Sequence, residues 1–205
     1  MSAAYLAALT VRRSIYAITN KSSVSDAKLE SIINHAVTHS PTAFNTQATR
    51  AVLVTGAANA KLWDLITESV IKGLEGESKE RNKARMAAFA GGYGSVLFFE
   101  DQAVIEAISQ KLPKYAKQFP EWSANGAGML QSAIWTAFSA EGLGANLQHN
   151  AAYSDELARD ILKAFDLPET WKSTAILPFG DPAVDGGQLK EKTFLPIEER
   201  VKVFN

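Results

Sequence analysis

Two stretches stand out in this sequence: Val11-Arg12-Arg13-Ser14-Ile15-Tyr16-Ala17 and, about one helix further on, Ser40-Pro41-Thr42-Ala43-Phe44-Asn45-Thr46-Gln47. The adjacent guanidinium groups of the first stretch make a fixed fork of donors that suits a phosphate. The Asn and Gln side chains of the second each hold a donor beside an acceptor, as the edge of a flat heteroaromatic ring requires. Taken singly, the arginines could be a charged helix end and the amides ordinary turn residues. Together they predict a site for a phosphorylated cofactor that carries a ring.

The composition is that of an ordinary globular protein. A chain of 205 residues can bury a full core and is most simply one domain, residues 1–205. The net charge of -1 argues against a nucleic-acid partner, and the absence of cysteine excludes disulfides, thiol catalysis and thiolate metal sites. The first residues lack the pattern of a signal peptide, and no apolar run approaches the roughly 20 residues of a membrane span. We therefore expect a cytoplasmic protein with no membrane partner.

Hydrophobic spacing predicts several helices and three separated strands. A helix starts at Ser25 and Asp26 and stops before Pro41, and another starts at Ser154. The highly charged run 73–86 is a solvated loop or a helix face. The predicted strands are 51–55, 95–99 and 173–179, and Pro178 predicts that the end of the last strand lies at a sheet edge. This order is typical of a layered α+β domain.

Residues 126–140 predict a helix of a different kind. They are apolar around most of the helix and include no charged residue. A helix that is apolar nearly all round is buried in a core or at an interface.

The remaining motifs carry weaker signals. His35 and His39 have the i, i+4 spacing of helix-borne metal ligands, but no acidic third ligand stands nearby in the sequence, so we predict no metal site. The glycines of residues 91–94 precede a strand and lack the lysine of a phosphate-binding loop, so they indicate a turn. No hydrolase triad and no Gly-rich dinucleotide fingerprint is present in the sequence.

Taken in order, four segments resemble the FMN-dependent nitroreductase family, and within it the short fungal and bacterial branch of the fatty-acid-repression-mutant type. These segments are 12–16, 40–47, 142–150 and 192–198. They span most of the chain in the order found in the family. The resemblance implies a nitroreductase-like α+β domain, with a central, mostly antiparallel sheet flanked by helices. It also implies an intertwined homodimer with FMN at the subunit interface.

The resemblance implies which residues bind FMN. The positions that hold the phosphate and the ribityl chain are matched by Arg12, Arg13, Ser14 and Lys192, with Lys190 a candidate for a further phosphate contact. The segment that reaches over from the partner subunit is matched by Pro41, Thr42, Ala43, Asn45 and Gln47. The turn whose backbone lies against the isoalloxazine ring and donates to its N5 is matched by Leu147, Gln148, His149 and Asn150. Tyr16 falls near the pyrimidine edge of the ring.

The activity implied by the resemblance is transfer of hydride from NAD(P)H to FMN, followed by reduction of a nitroaromatic, a quinone or a similar flat acceptor. A ping-pong order is expected because one stacking face serves both donor and acceptor. Since the cofactor carries the chemistry, no residue is assigned as catalytic. His149 is a candidate proton donor, and a structural role beside the ring is an equal alternative. Two other functions stay open: a flavin-binding regulatory or sequestering protein with little turnover, and a helical interaction protein without cofactor.

The segment 113–122 carries two prolines and three aromatic residues. Prolines at both ends discourage one continuous helix, so we predict a semi-independent cover. The family resemblance places this region over the open face of the flavin, which makes Tyr115, Phe119 and Trp122 candidates for contacting the acceptor. For Trp122, capping the core beneath is an equal alternative.

Overall fold

The computed structural model describes residues 2–183, 189 and 191–204. Its helices are α1 (Ser2–Val11), α2 (Asp26–His39), α3 (Gly56–Ile71), α4 (Gly76–Ala90), α5 (Gln102–Lys111), α6 (Phe119–Ala140), α7 (Asp155–Ala164) and α8 (Ile197–Arg200). Its strands are β1 (Thr49–Thr55), β2 (Gly94–Asp101), β3 (Gly144–Ala145) and β4 (Trp171–Gly180). Short 3₁₀ turns lie at Ala43–Asn45, Pro113–Tyr115 and Asn150–Ala152.

The four strands form one antiparallel sheet in the order β1-β2-β4-β3. The three longer strands include the predicted segments 51–55, 95–99 and 173–179, and each extends beyond its prediction. The sequence did not predict β3, because two residues are too short to show the alternation that identifies a strand.

The expectation that Pro178 lies at a sheet edge is wrong, because β4 is paired on both sides there. Ser95 of β2 lies opposite Pro178, and on the other side the N–H of Asn146 donates to the Pro178 carbonyl at 3.3 Å. A proline has no N–H to donate. Asn146 and Pro178 therefore share one hydrogen bond, whereas Gln148 and Ile176 exchange two of 2.8 Å. The hydrogen bond that Pro178 cannot donate is therefore missing on the side of the short 143–148 segment, and the pairing of β4 with β2 stays intact.

Alternate residues of the two central strands face two layers of helices. On one face, Phe98 and Leu177 are buried against α2 and α6, in a cluster that includes Leu29, Ile33, Leu130, Ile134 and Phe138. On the other face, Leu97 and Ile176 are buried against α3, α4 and α7, in a cluster that includes Leu62, Trp63, Ile66, Met86, Phe89, Leu157 and Ile161. The predicted layered α+β architecture, with an antiparallel sheet between helices, is confirmed.

Two helices refine the sequence-based predictions. The charged run 73–86 supplies most of α4, whose side chains are mainly exposed, so the helix-face interpretation holds. The apolar helix α6 begins at Phe119, well before residue 126. It buries one stripe in the core, whereas Met129 and Ala133 lie on an exposed face.

Among the described residues, no helix combines the length and the apolar character that crossing a membrane requires.

Candidate cofactor-binding site

The two adjacent arginines lie where the chain leaves α1 and runs along the sheet edge. The N–H of Ile15 donates to the Ala145 carbonyl, and the N–H of Thr19 donates to the Asp181 carbonyl, both at 2.9 Å. The approach is so close that a Cβ at Gly180 would overlap the carbonyl oxygen of Thr19. Backbone pairing therefore fixes where the segment after α1 runs.

Arg12, Arg13, Ser14 and Lys192 line one cavity of about 630 Å³. Its other lining residues are Leu6, Leu9, Thr10, Thr193 and Phe194, so no acidic residue is among the described residues that line it. Small-molecule sites usually have volumes of roughly 300–1,000 Å³. Three cationic side chains beside a hydroxyl make a donor set suited to a phosphate. The structure thus brings together the four residues that the resemblance assigns to the phosphate and the ribityl chain.

Trp135 of α6 packs against the Arg12 guanidinium. The Arg12 guanidinium carbon lies 4.3 Å from the centroid of the Trp135 ring, which is a cation–π contact. The indole Nε1 of Trp135 is buried, and no hydrogen-bond partner for it lies among the described residues. This contact could not be predicted from the sequence, because the two residues are far apart along the chain.

Lys192 binds the end of α1. Its Nζ donates to the carbonyls of Thr10 at 2.5 Å and of Arg12 at 2.9 Å. Carbonyls at a helix C-terminus carry partial negative charge, which would repel a phosphate. By covering these two carbonyls, Lys192 makes this end of the cavity more favourable for an anion. Lys190 lies outside the described residues, so its predicted contact stays a prediction.

The turn at 147–150 is joined to the arginine segment through Asn146. The Asn146 side-chain amide donates to the Ile15 carbonyl at 3.0 Å, and its oxygen accepts from Nε2 of Gln148 at 2.8 Å. Both amide side chains are buried. Asn146 was not among the predicted site residues. The alternation of Asn146 and Gln148 is the signal that could have found it, because it places two polar side chains on one face of an extended segment.

The four residues of this turn have different surroundings. The backbone N–H of Gln148 donates to Ile176, so it is not available to a flavin. The Asn150 side chain is buried, with its Nδ2 3.0 Å from Sδ of Met86, while His149 is exposed and Leu147 half-buried. Of the backbone donors in this predicted ring-binding turn, that of Gln148 is therefore already engaged by the sheet.

The segment 41–47 lies outside the arginine cavity. Pro41 borders a groove of about 910 Å³ between α1, α2 and α6, and the arginine cavity contains none of this segment. Ala43 and Asn45 lie in a 3₁₀ turn, after which the N–H of Gln47 donates to Oγ1 of Thr42 at 2.9 Å. Within one chain, the structure does not bring the predicted amide pair, Asn45 and Gln47, to the arginine cavity.

The aromatic residues of segment 113–122 surround Phe44. The Phe44 ring centroid lies 5.7 Å from that of Tyr115, 5.6 Å from Phe119 and 6.0 Å from Trp122. Phe44 is 57% exposed, whereas Phe119 is 2% exposed and belongs to a core cluster with Ala48 and Ile105.

The prediction of a semi-independent cover over 113–122 is therefore wrong. Pro120 occupies the first turn of α6, where a proline is tolerated, so the helix includes Phe119 and Trp122. Phe119 packs in the core, Tyr115 and Trp122 are half-buried, and Phe44 is the most exposed of the four rings.

Tyr16 and the two histidines of α2 lie outside the arginine cavity's lining. Tyr16 is exposed, and its ring lies 6.5 Å from that of Phe89. The rings of His35 and His39 lie 4.4 Å apart on α2. In the part of the chain that the structure describes, no group of three or more His, Cys, Asp or Glu residues could hold a metal ion.

Known proteins resemble this chain in both sequence and fold. The nitroreductase family matches residues 9–181. The chain is 35% identical over 205 residues to the nitroreductase homologue HBN1 of Saccharomyces cerevisiae, covering 99% of this chain and 98% of HBN1. The nitroreductase FRM2 of the same yeast is 32% identical over 193 residues, which are 93% of either chain.

Among solved structures, the nitroreductase CinD from Lactococcus lactis in complex with nicotinic acid is 37% identical, with a TM-score of 0.86 over 98% of this chain and 100% of CinD. CinD has also been solved in complex with chloramphenicol and with 4-nitrophenol. The chain belongs to the nitroreductase family of oxidoreductases, in the branch that includes the fungal homologues HBN1 and FRM2.

Proposed function

We propose that residues 1–205 form one FMN-dependent NAD(P)H oxidoreductase that reduces nitroaromatics, quinones or similar flat acceptors, and that it works as a homodimer with FMN at the subunit interface. The observation that carries the proposal is the cavity where Arg12, Arg13, Ser14 and Lys192 meet with no acidic residue among its described lining. Membership of the nitroreductase family supports the same function.

The residues present fit the phosphate end of FMN. Arg12 and Arg13 supply donors in fixed forks, Ser14 adds a hydroxyl, and Lys192 adds positive charge while it covers the α1 carbonyls. Bound FMN would supply the redox chemistry, accepting hydride from NAD(P)H and passing the electrons on to the acceptor. The chain itself binds and orients the reactants, and we assign it no general acid or base.

The homodimer is proposed from two features of a single chain. The groove between α1, α2 and α6 is bordered by exposed apolar side chains, among them Tyr5 and Met129. The segment 41–47 lies apart from its own phosphate cavity, as the resemblance implies for a segment that completes the partner's site. A second copy would cover the groove and bring Asn45 and Gln47 to a flavin ring edge.

For the acceptor, we propose Phe44 as the principal aromatic contact, supported by Tyr115 and Trp122. The Phe44 ring is exposed and stacks on Trp122 with an interplanar angle of 22°. It also belongs to the segment that we place at the flavin. The related CinD has been solved with nicotinic acid and with 4-nitrophenol, both of which are flat rings.

Cofactor content is the direct test of this function. Heat-released chromophore from the purified protein should chromatograph as FMN, about one per chain, because no cysteine is present to hold flavin covalently. Recovery of FAD, or failure of the apoprotein to bind added FMN, would refute the proposal.

Steady-state kinetics test turnover and its order. With NADH or NADPH as donor and 4-nitrophenol or a benzoquinone as acceptor, double-reciprocal lines should be parallel, since donor and acceptor share one binding face. Intersecting lines would indicate two separate pockets. FMN binding without measurable NAD(P)H oxidation would instead support the regulatory or sequestering alternative. A cytoplasmic location stays a prediction, which cell fractionation can test.

A further inference from the structure

The loop that carries the amide pair has an unusual backbone. Phe44, Asn45 and Gln47 have φ values of 54°, 52° and 52°, in the left-handed region that residues other than glycine seldom adopt. Asn tolerates this region, but Phe does so at a cost. Such conformations persist only where the surrounding structure holds them, and they concentrate at functional sites.

Arg50, the second residue of β1, reaches back over the loop. Its Nη1 donates to the Gln47 carbonyl at 2.6 Å and to the Thr49 carbonyl at 3.0 Å. Its Nη2 forms an ion pair of 2.9 Å with Oδ2 of Asp101. The Arg50 and Asp101 side chains are only 27% and 14% exposed, so water screens this pair less than a surface pair.

Asp101 ties this contact to the sheet and to the next helix. Its other oxygen, Oδ1, accepts from the N–H of Ala103 at 3.2 Å and so caps the start of α5. Its own N–H donates to the Ala48 carbonyl at 2.8 Å. Asp101 is thus fixed by contacts that do not involve Arg50, and it offers the guanidinium a rigid anchor.

Both backbone polar groups of Gln47 are hydrogen-bonded to side chains. Its N–H donates to Oγ1 of Thr42, and its carbonyl accepts from Arg50. With both groups bound, the peptide planes on either side of Gln47 are fixed. The direction in which the Gln47 side chain leaves the loop is then fixed as well.

We propose that Arg50 and Asp101 form a clamp that positions the loop 42–47 for contact with the cofactor. The role of the clamp in binding rests on the proposed function, since it assumes that this loop lies against FMN. Arg50 is a positioning residue here and touches no reactant itself. Arginine suits this role because it donates from two separate nitrogens of a rigid fork, Nη1 to the Gln47 carbonyl and Nη2 to the Asp101 carboxylate, whereas a lysine has a single nitrogen on a flexible stem.

Three variants test the clamp without deleting its side chains. Arg50→Lys keeps the charge but removes the fork. Asp101→Asn removes the ion pair but keeps an amide oxygen that can still cap α5. Glu156→Gln is the matched control, because it breaks the ion pair between Lys72 and Glu156. This pair has the same 2.9 Å length but is exposed, and it joins the residue after α3 to α7.

The first measurement is hydrogen exchange of the apoprotein. We expect amides in 42–47 to exchange at least several-fold faster in Arg50→Lys and, to a smaller extent, in Asp101→Asn. The core of α6 should keep its protection, and Glu156→Gln should match the wild type. Unchanged exchange in 42–47 in both clamp variants, or loss of protection throughout the chain, would overturn the positioning role.

The second measurement is titration of the apoprotein with FMN. Arg50→Lys should raise the Kd on the order of tenfold, the scale of one charge-assisted hydrogen bond. Wild-type affinity in Arg50→Lys would show that charge alone suffices and would refute the clamp. A wild-type chain that binds no FMN would refute the proposed function and the clamp's role in binding, while the exchange experiment would still show whether Arg50 orders the loop.

Discussion

The Arg12 guanidinium lies over the Trp135 ring, with 4.3 Å from its central carbon to the ring centroid. Trp135 belongs to α6, and other residues of the same helix line the groove against α1 and α2. One helix therefore supports the arginine cavity with one side chain and forms the proposed dimer face with others. A change on α6 can affect cofactor binding directly, through Arg12, or indirectly, through the partner subunit.

The first prediction concerns this contact. Arg12→Ala should weaken FMN binding by roughly tenfold or more, because a hydrogen bond to a charged group contributes about 1.5–3 kcal/mol. Trp135→Leu should weaken it less, by about 0.5–2 kcal/mol, since only the cation–π support is lost. Fluorescence titration of the apoprotein with FMN measures both.

Arg81→Ala is the control for these two variants, because Arg81 is exposed on α4. Arg50 is unsuitable as a control, since it holds the Gln47 carbonyl. Equal affinity in Arg12→Ala and Arg81→Ala would show that the phosphate binds elsewhere.

The sequence predicted the parts of the fold that depend on local periodicity. The three longer strands and the helices that start at Ser25 and Ser154 follow from alternation and from caps, and both serine side chains do accept the expected capping bonds. It could not predict β3, which depends on tertiary contacts, namely its pairing with the end of β4 and the hydrogen bond from Ile15 to Ala145. Nor could it predict the ion pair of Arg50 with Asp101, which depends on the register of β1 and β2.

The sequence also predicted much of the candidate site, by a different route. The adjacent arginines stood out because of their charge, and their place in an ordered set of motifs linked them to the distant Lys192. Asn146 and Trp135 were missed because their roles come from tertiary contacts, one through a side-chain bond to the Ile15 carbonyl and one through a ring beneath a guanidinium. Phe119 was misassigned because an aromatic residue beside prolines suits a surface cover and a buried helix start equally well.

The second prediction concerns Asn146, which joins the segment after Arg13 to the turn 147–150. Asn146→Ala removes the donor to Ile15 and leaves the buried Gln148 amide without its acceptor. An unsatisfied buried polar group costs about 1–3 kcal/mol, so the free energy of unfolding should fall by that amount. Urea denaturation measures the change. Asn34→Ala, at an exposed position of α2, should change stability by less than about 0.5 kcal/mol.

FMN affinity should fall together with stability in Asn146→Ala, since the segment after Arg13 loses one of its fixed points. Retention of full stability would show that solvent or a neighbouring group satisfies Gln148 in the variant. Loss of stability with unchanged FMN affinity would show that Asn146 supports the fold alone.

The third prediction concerns the dimer. Ala133→Glu places a carboxylate on the exposed face of α6, where we propose that a second copy packs. Burying an unpaired charge is strongly unfavourable, so light scattering should report a monomer. FMN should be lost as well, because the partner's segment 41–47 would no longer complete the site.

Ala84→Glu is the control for this variant, since it adds the same charge to an exposed position of α4. It should remain dimeric and retain FMN. A dimeric Ala133→Glu variant would place the interface on another surface, and a monomer that binds FMN with wild-type affinity would remove the partner from the site.

The last prediction distinguishes the roles of Phe44 and Phe119, whose rings are in contact. The ring centroids of Phe44 and Phe119 are 5.6 Å apart, but Phe44 is 57% exposed and Phe119 is 2% exposed. Phe119→Ala should therefore lower the free energy of unfolding by about 3–5 kcal/mol, the usual cost of deleting a buried phenylalanine side chain. Phe44→Ala should keep FMN and most of the stability, while the ranking of flat aromatic acceptors shifts several-fold, since stacking contributes roughly 0.5–1.5 kcal/mol. Ferricyanide, which cannot stack, is the internal control and should be reduced at the wild-type rate. If Phe44→Ala slows ferricyanide and every aromatic acceptor by one common factor, then Phe44 orders the loop and does not select the acceptor.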